Sequence, residues 1–297
     1  MPASRISDLI NSAHTIFLLT LDDLLLRKEW GQNAEISNKE LNYEQDLEVI
    51  DLCHDLQLKA TLFTPAIVAS KFSKIMRSLS RINFEIAAHG YWHENLRILP
   101  YCKKRQLVDM TTESIRKVIG ERVRGWRSPK LYIDAGFLRA IRQSEILWCS
   151  NMVLPSSLKH FPFINIGSGK VEIPIISSID YNMYQQGFTS QKVIKKWLHD
   201  LEIVHNRRAR EIFTLLIHPW IHVSCRERIE VLKTFLEKVG SMEGVCCMKC
   251  SDVAALLNPM QGSLYSTFLK AATRMQALAM RRSETWRLCQ RILKYTI

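Results

Sequence analysis

Four short stretches of the sequence hold side chains able to do chemistry. Thr20-Leu21-Asp22-Asp23 sets two carboxylates side by side at the end of an apolar run. Adjacent carboxylates cannot both be buried and ionised without a partner, because desolvation and mutual repulsion oppose it. They read either as a functional pair or as a helix N-cap with an acidic first turn. His89-Gly90-Tyr91-Trp92-His93-Glu94 follows another apolar run, with its imidazoles four positions apart. On a helical turn such a pair shares a face, and neutral imidazole is a preferred zinc ligand. A zinc-protease motif needs Glu directly after the first His, where this chain has Gly90. A metal would therefore need a third ligand from elsewhere, which Asp22 or Asp23 can supply; otherwise the two are satisfied loop histidines. In Gly125-Trp126-Arg127-Ser128-Pro129 the arginine can orient a carboxylate through paired hydrogen bonds, or be a solvated turn residue. In Leu215-Leu216-Ile217-His218-Pro219-Trp220, His218 can act as acid or base near neutral pH, or close a strand before a proline turn.

Positioning these groups falls to alternating strands and helices. Thr15–Leu21, Ala60–Thr64, Phe84–Ala88, Ile146–Val153, Val171–Ile176 and Ile212–Ile217 read as short buried strands, with Trp126–Arg127 and Val245–Met248 as further short ones. Helical periodicity fills about 44–57, 103–119, 135–143, 190–204 and 226–239, and a short helix fits Ser251–Leu257. Alternating strands and helices argue for βαβ units in an α/β fold, and the count suits a closed or nearly closed barrel. In such a barrel the catalytic residues follow the C-terminal ends of strands, which is where each of the four stretches lies. Asn258-Pro259 breaks the pattern. The expected domains are thus a barrel over 1–258 and a basic helical extension over 259–297. In that extension Leu264, Phe268, Ala271, Met275 and Leu278 recur at helical steps.

In this order, each at the end of an expected strand, Asp22-Asp23, His89-x-x-x-His93, Arg127-x-Pro129 and His218-Pro219 resemble the NodB-homology polysaccharide deacetylases. These are carbohydrate esterases that include chitin, chitooligosaccharide and peptidoglycan N-deacetylases. The resemblance runs from roughly Thr15 to Leu257 and takes in Lys59-Ala60-Thr61-Leu62-Phe63 and Val171-Glu172-Ile173-Pro174. It implies a distorted (β/α) barrel of about seven strands. It also implies Asp23, His89 and His93 as metal ligands, Asp22 as catalytic base, Arg127 as the residue holding that base, and His218 as general acid. The implied cofactor is a divalent metal, zinc first, with cobalt, nickel or manganese as alternatives. Such a metal polarises the amide carbonyl and acidifies water, while a protonated His218 serves the departing amine. The chain departs from the family pattern in four places. Leu21 replaces a usual Phe, and Leu24-Leu25-Leu26 stands where Gly often follows the acids. Gly90 replaces Ser or Thr, and Lys130 replaces a common aromatic. The acid that would pair with His218 has no evident motif; Asp180 is the candidate.

Composition bounds the rest. Over 297 residues, 47% hydrophobic and 24% charged residues exclude wholesale disorder, and 11 Gly with 9 Pro exclude collagen-like or low-complexity chains. No apolar stretch is long enough to span a bilayer. The start of the chain lacks a continuous apolar secretory segment, and the eight cysteines are scattered, so reduced thiols and a cytoplasmic location are expected. Cys246-Cys247-Met248-Lys249-Cys250 has no second pair or nearby His, and reads as a buried strand rather than a zinc site. The net charge is +12, and 259–297 holds seven basic residues and one acid, half of that excess. This segment is expected either to touch anionic lipid peripherally on the inner membrane face or to pack on the barrel. No nucleic-acid motif accompanies the charge. The resulting expectation is a hydrolase that removes an N-acyl group, acetyl first, from an amino sugar. The glycan is a polysaccharide, an oligosaccharide or a lipid- or nucleotide-linked precursor. The alternatives are an amide or formyl hydrolase on another scaffold, and an inactive glycan-binding module.

Overall fold

Every residue of β1 (Thr15–Asp22) is buried, as is every residue of β10 (Glu211–Ile217). A strand with no exposed face belongs at the centre of a parallel sheet covered on both sides. The computed structural model describes residues 13–24, 43–82, 84–165 and 167–256, and there β1 occupies that centre. It pairs in parallel with β10 from Thr15↔Glu211 to Leu21↔Ile217, and with β2 (Ala60–Thr64) from Leu19↔Ala60 to Asp22↔Phe63. β3 (Phe84–Ala88), β4 (Gly125–Trp126), β5 (Trp148–Cys149) and β8 (Val171–Glu172) continue the sheet in parallel, and β7 (Phe163–Ile164) adds an antiparallel edge. β11 (Val245–Cys247) pairs with Thr15–Phe17, while β6 (Val153–Leu154) and β9 (Ile175–Ile176) form a separate parallel pair. Counting β5 with β6 and β8 with β9 gives seven parallel positions in the curled main path, which the antiparallel β7 extends to eight strands. This is the expected distorted barrel. Between β9 and β10 it closes by packing of Ile175 against Leu216, with no ladder among the described residues.

The period of two along each strand sorts its side chains. On β1, Phe17, Leu19 and Leu21 join the core between sheet and helices, while Ile16 and Leu18 join the barrel interior with Phe63, Ala87 and Trp148. Asp22 continues the inward parity at the C-terminal mouth. Gly125 permits the interior to close, because a Cβ there would meet the Trp148 ring at 2.0 Å. At the opposite end, α10 (Cys250–Leu256) plugs the barrel with Cys250, Val253 and Ala254. The cysteine run was expected as a buried strand; Cys246 and Cys247 on β11 are only half-buried, and the buried Cys250 packs from α10 instead.

Two expected strands are divided. Ile146–Val153 is broken because the N–H groups of Asn151 and Met152 turn to Glu172 Oε1, at 2.5 and 2.8 Å, instead of to a ladder. Val171–Ile176 is broken at Pro174, which has no N–H to donate. The expected helices appear as α1 (Tyr43–Asp55), α4 (Tyr101–Ile119), α5 (Ala135–Arg142), α7 (Ser190–Asn206) and α9 (Arg226–Ser241). Four short helices were not expected: α2 (Ala66–Lys71), α3 (Ser73–Arg81), α6 (Asp180–Gln185) and α8 (Pro219–Val223). The boundary at 258 and the basic segment 259–297 lie outside the described residues. No helix among the described residues is long and apolar enough to cross a membrane.

Candidate metal and acid–base site

All the barrel strands but β7 run in one direction, so their C-terminal ends share one face. Asp22 ends β1 and Asp23 follows it. His89 follows β3, Arg127 follows β4 and His218 follows β10. The six expected site residues therefore meet at one mouth. Asp23 and His93 take left-handed backbone conformations, with φ of 60° and 62°, which is tolerated by Asp but strained for His. Gly90, at φ +77°, makes the turn between the histidines. A Cβ on it would lie 2.7 Å from Glu94 Oε2 and 3.0 Å from Pro129 Cγ. The glycine is thus demanded by backbone conformation and close approach, and the absence of a Ser or Thr hydroxyl there is secondary. Glu94 fastens the turn by accepting from the N–H groups of Tyr91 and Trp92, at 2.9 and 2.8 Å.

His89 Nδ1 lies 2.9 Å from the Arg127 carbonyl. A carbonyl only accepts, so Nδ1 carries the proton and Nε2 offers its lone pair to the mouth. That Nε2 lies 3.6 Å from Asp23 Oδ1, and His93 Nε2 lies 3.5 Å from Asp23 Oδ2. These separations are too long for hydrogen bonds. They are near the ~3.3 Å expected between neighbouring ligands about 2.0–2.1 Å from a tetrahedral zinc. Burial lowers the His89 pKa and takes that of His93 to about 4, so both rings are neutral at pH 7, the form that binds metal. Asp23 Oδ1 is buried with no hydrogen-bond partner, and burial raises the pKa of its carboxyl. An orphaned carboxylate oxygen between two neutral imidazoles fits a divalent cation. Asp23, His89 and His93 are also the one such cluster among the described residues.

Arg127 is fully buried and makes its bonds inside the barrel. Nη1 donates to Asp22 Oδ1 at 2.6 Å and to Thr20 Oγ1 at 2.9 Å. Nε donates to the Ser150 carbonyl at 2.9 Å, and Nη2 to Ser150 Oγ at 2.8 Å. The guanidinium also lies 3.8 Å over the Phe63 ring. A cation so constrained fixes the Asp22 carboxylate and compensates its charge out of water. Asp22 Oδ2 remains 4.0 Å from His89 Nε2, at the edge of the metal cluster.

Across the mouth, the structure places Asp180 on His218. Asp180 Oδ1 accepts from His218 Nδ1 at 2.8 Å, and Oδ2 accepts from the His218 backbone N–H at 2.6 Å. Burial alone would lower the His218 pKa, but Asp180, with Asp22 and Asp23 adding to it, outweighs burial and raises the pKa to about 9. Burial likewise opposes ionisation of Asp180, yet His218 and His222 hold its carboxyl well below the usual range. His222 was missed in the sequence. Its Nε2 lies 3.1 Å from Asp180 Oδ2, and the spacing His218-x-x-x-His222 across α8 is the signal that could have found it. Asp22, Asp23, His89, His93 and His218 line a cavity of ≈ 350 Å³, which Tyr181, Trp220 and Leu216 make partly apolar, with Asp180 and Arg127 buried behind them. The arrangement offers a cation site, a carboxylate fixed by a guanidinium and a charged imidazole, all facing one volume. That is the equipment for hydrolysing an amide.

Comparison with known proteins agrees with this geometry. Residues 18–146 match the family model described as Polysaccharide deacetylase; Asp180 and His218 lie beyond the matched segment. A peptidoglycan deacetylase of Helicobacter pylori is 21% identical over 245 residues, spanning 69% of this chain and 81% of that protein. Among solved structures, a Mycobacterium smegmatis protein provisionally assigned to the polysaccharide deacetylases superposes with a TM-score of 0.70 at 19% identity, covering 85% of this chain and 93% of its own. The PuuE allantoinase superposes with a TM-score of 0.67 at 17% identity, covering 82% and 90%. At these identities the structural likeness establishes the fold.

Proposed function

We propose that this chain, whose residues 18–146 match the polysaccharide deacetylase family model, acts as a member of that family and hydrolyses the N-acyl group, acetyl first, of an amino sugar. The observation that carries this reading is the facing of two sets of groups across one cavity: Asp23, His89 and His93 beside an Arg127-held Asp22, and an Asp180-held His218 opposite. A divalent cation, zinc first, held by Asp23, His89 and His93 would supply Lewis acidity for the acyl carbonyl and lower the pKa of water. Asp22 takes the proton of the attacking water as the C–O bond forms, and Arg127 holds the carboxylate that receives it. His218 gives its Nε2 proton to the amide nitrogen as the C–N bond breaks, so a neutral amine departs and a carboxylic acid remains. Asp180 keeps His218 charged for that step. Tyr181 and Trp220 offer rings against which a sugar can lie.

The substrate in this reading is a glycan or a lipid- or nucleotide-linked precursor. Cytoplasmic placement and an anionic-membrane contact through 259–297 belong to the same proposal. The test is elemental analysis of wild type and His89→Ala prepared identically, followed by acetate release from N-acetyl amino sugars. About one divalent metal per chain, lost in the variant together with acetate release, is the expected result. Wild type that stays metal-free after reconstitution and releases no acetate would overturn it. The likeness to an allantoinase fold favours one second reading, a non-sugar amide substrate. Turnover of a ureide or formamide, with none of any sugar, would establish that instead.

A further inference from the structure

We propose that Arg97 and Lys130 form an anion subsite joined to the catalytic cavity, so that the preferred amino sugar carries a negatively charged substituent. The inference deepens the deacylase reading and rests on it for the reaction. A second cavity, of ≈ 220 Å³, is lined by Asn95, Arg97, Pro129, Lys130 and Tyr132, and Lys130 also lines the catalytic cavity. The two volumes therefore share Lys130 in their walls. No acid lines the smaller cavity, and neither cation has a salt bridge among the described residues. Glu94, on the same loop as Arg97, is engaged by the N–H groups of Tyr91 and Trp92. Arg97 is held by its surroundings: its guanidinium lies 5.7 Å over the Tyr132 ring, and its backbone N–H donates to Asn95 Oδ1 at 3.1 Å. The Tyr132 hydroxyl is in turn anchored on Asp134 Oδ2 at 2.8 Å.

The backbone gives a second, independent observation. Lys130 and Leu131 are consecutive non-glycine residues in the left-handed region, with φ of 58° and 56°. Such conformations persist where surrounding structure enforces them and cluster at ligand clamps. Here the conformation sets a long cationic side chain at the rim of the mouth. A planar guanidinium and a point-charge ammonium around an acid-free pocket suit a phosphoryl or carboxylate group. Because Lys130 borders both volumes, that group sits on the same sugar as the acyl group or on its immediate neighbour.

The test compares acetate release from N-acetylglucosamine, its 1-phosphate and N-acetylmuramic acid, for wild type, Arg97→Ala, Lys130→Asn and Lys130→Arg. Asn is chosen because it tolerates the left-handed region while removing the charge. Wild type should favour one of the charged sugars over the neutral one by about tenfold in kcat/KM, a preference that shrinks as salt is added. Arg97→Ala and Lys130→Asn should each erase most of that ratio, and Lys130→Arg should keep it. A second readout needs no turnover: calorimetric binding of glucose 1-phosphate against glucose to the metal-loaded protein. Tighter binding of the phosphate, lost in Lys130→Asn, supports the subsite even where no sugar is deacylated, a result that would overturn the proposed reaction alone. Equal binding and equal turnover of charged and neutral sugars, or a preference insensitive to both cations, would overturn the subsite.

Discussion

His218 and Asp180 show how one residue sets the behaviour of another. A buried imidazole on its own loses its charge, and the Asp180 carboxylate reverses that by bonding both the ring and the backbone of His218. The group able to give a proton is therefore present below about pH 9 and lost above it. A cation on Asp23 places like charge opposite the ring, so in the metal-loaded enzyme the alkaline limb falls between about 6.5 and 9. Asp180→Asn removes the carboxylate and leaves burial to dominate. The limb should then drop below about pH 6.5, with kcat/KM at pH 8 reduced roughly 10–100-fold. The sign for stability is the same. A His pKa raised by folding stabilises fully below the unfolded value near 6.5, and that contribution disappears as pH rises through the folded value. Metal-free wild type should thus lose on the order of 3 kcal/mol between pH 6 and 10 from this pair, the metal-loaded protein less, and the Asn variant should lose little. A pH–rate profile and urea melts across that range check both. An alkaline limb unmoved by the substitution would remove His218 as the acid.

At the scale of elements, the turn that leaves β3 towards α4 carries the ligands, and Gly90 governs it. Gly90→Ala combines a left-handed φ with a Cβ pressed on Glu94 and Pro129, so the turn must open. The expected cost is about 1–2 kcal/mol, a fall in Tm of roughly 3–8 °C for a domain of this size, with weaker metal binding because His89 and His93 separate. Thermal melts with a metal titration check it; unchanged values in both would show that the turn adapts freely. This turn also marks how far the sequence could be read. β1, β3 and β10 were legible because short, mostly apolar runs rich in aliphatic residues signal buried strands, and their ends place Asp22, His89 and His218. The break at Pro174 had a visible cause in the missing N–H. The break at Asn151 did not, because it depends on Glu172, which meets those N–H groups only after the strands align. α2 and α3 were passed over although Val68, Phe72, Met76 and Leu79 stand at helical steps. The pairing of Asp180 with His218 spans 38 residues and follows from barrel closure, which no local pattern encodes.

For the molecule as a whole, the site is assembled from nearly the full length of the described chain. β1 draws β10 and β11 to itself, bringing residues after 210 beside residues before 23. Asp22 is tied through Arg127 to the end of β4, and Asp23 faces His89 and His93 after β3. Ligands from separate strands come together only in the folded barrel, so a cation that binds them binds the native state and not the unfolded chain. Such a ligand stabilises by about 2.7 kcal/mol when present at a hundred times its Kd. The orphaned Asp23 Oδ1 gives this a definite direction. With the cation removed, a buried carboxylate is left between two neutral rings that cannot compensate it. Chelation should therefore lower the Tm by roughly 5–10 °C as one cooperative transition, and added zinc should restore it. His93→Ala should melt at one temperature with or without chelator, since the cluster is then incomplete. A wild-type Tm indifferent to chelator and zinc alike would show that Asp23, His89 and His93 hold no resident cation, and would leave the catalytic reading without its electrophile.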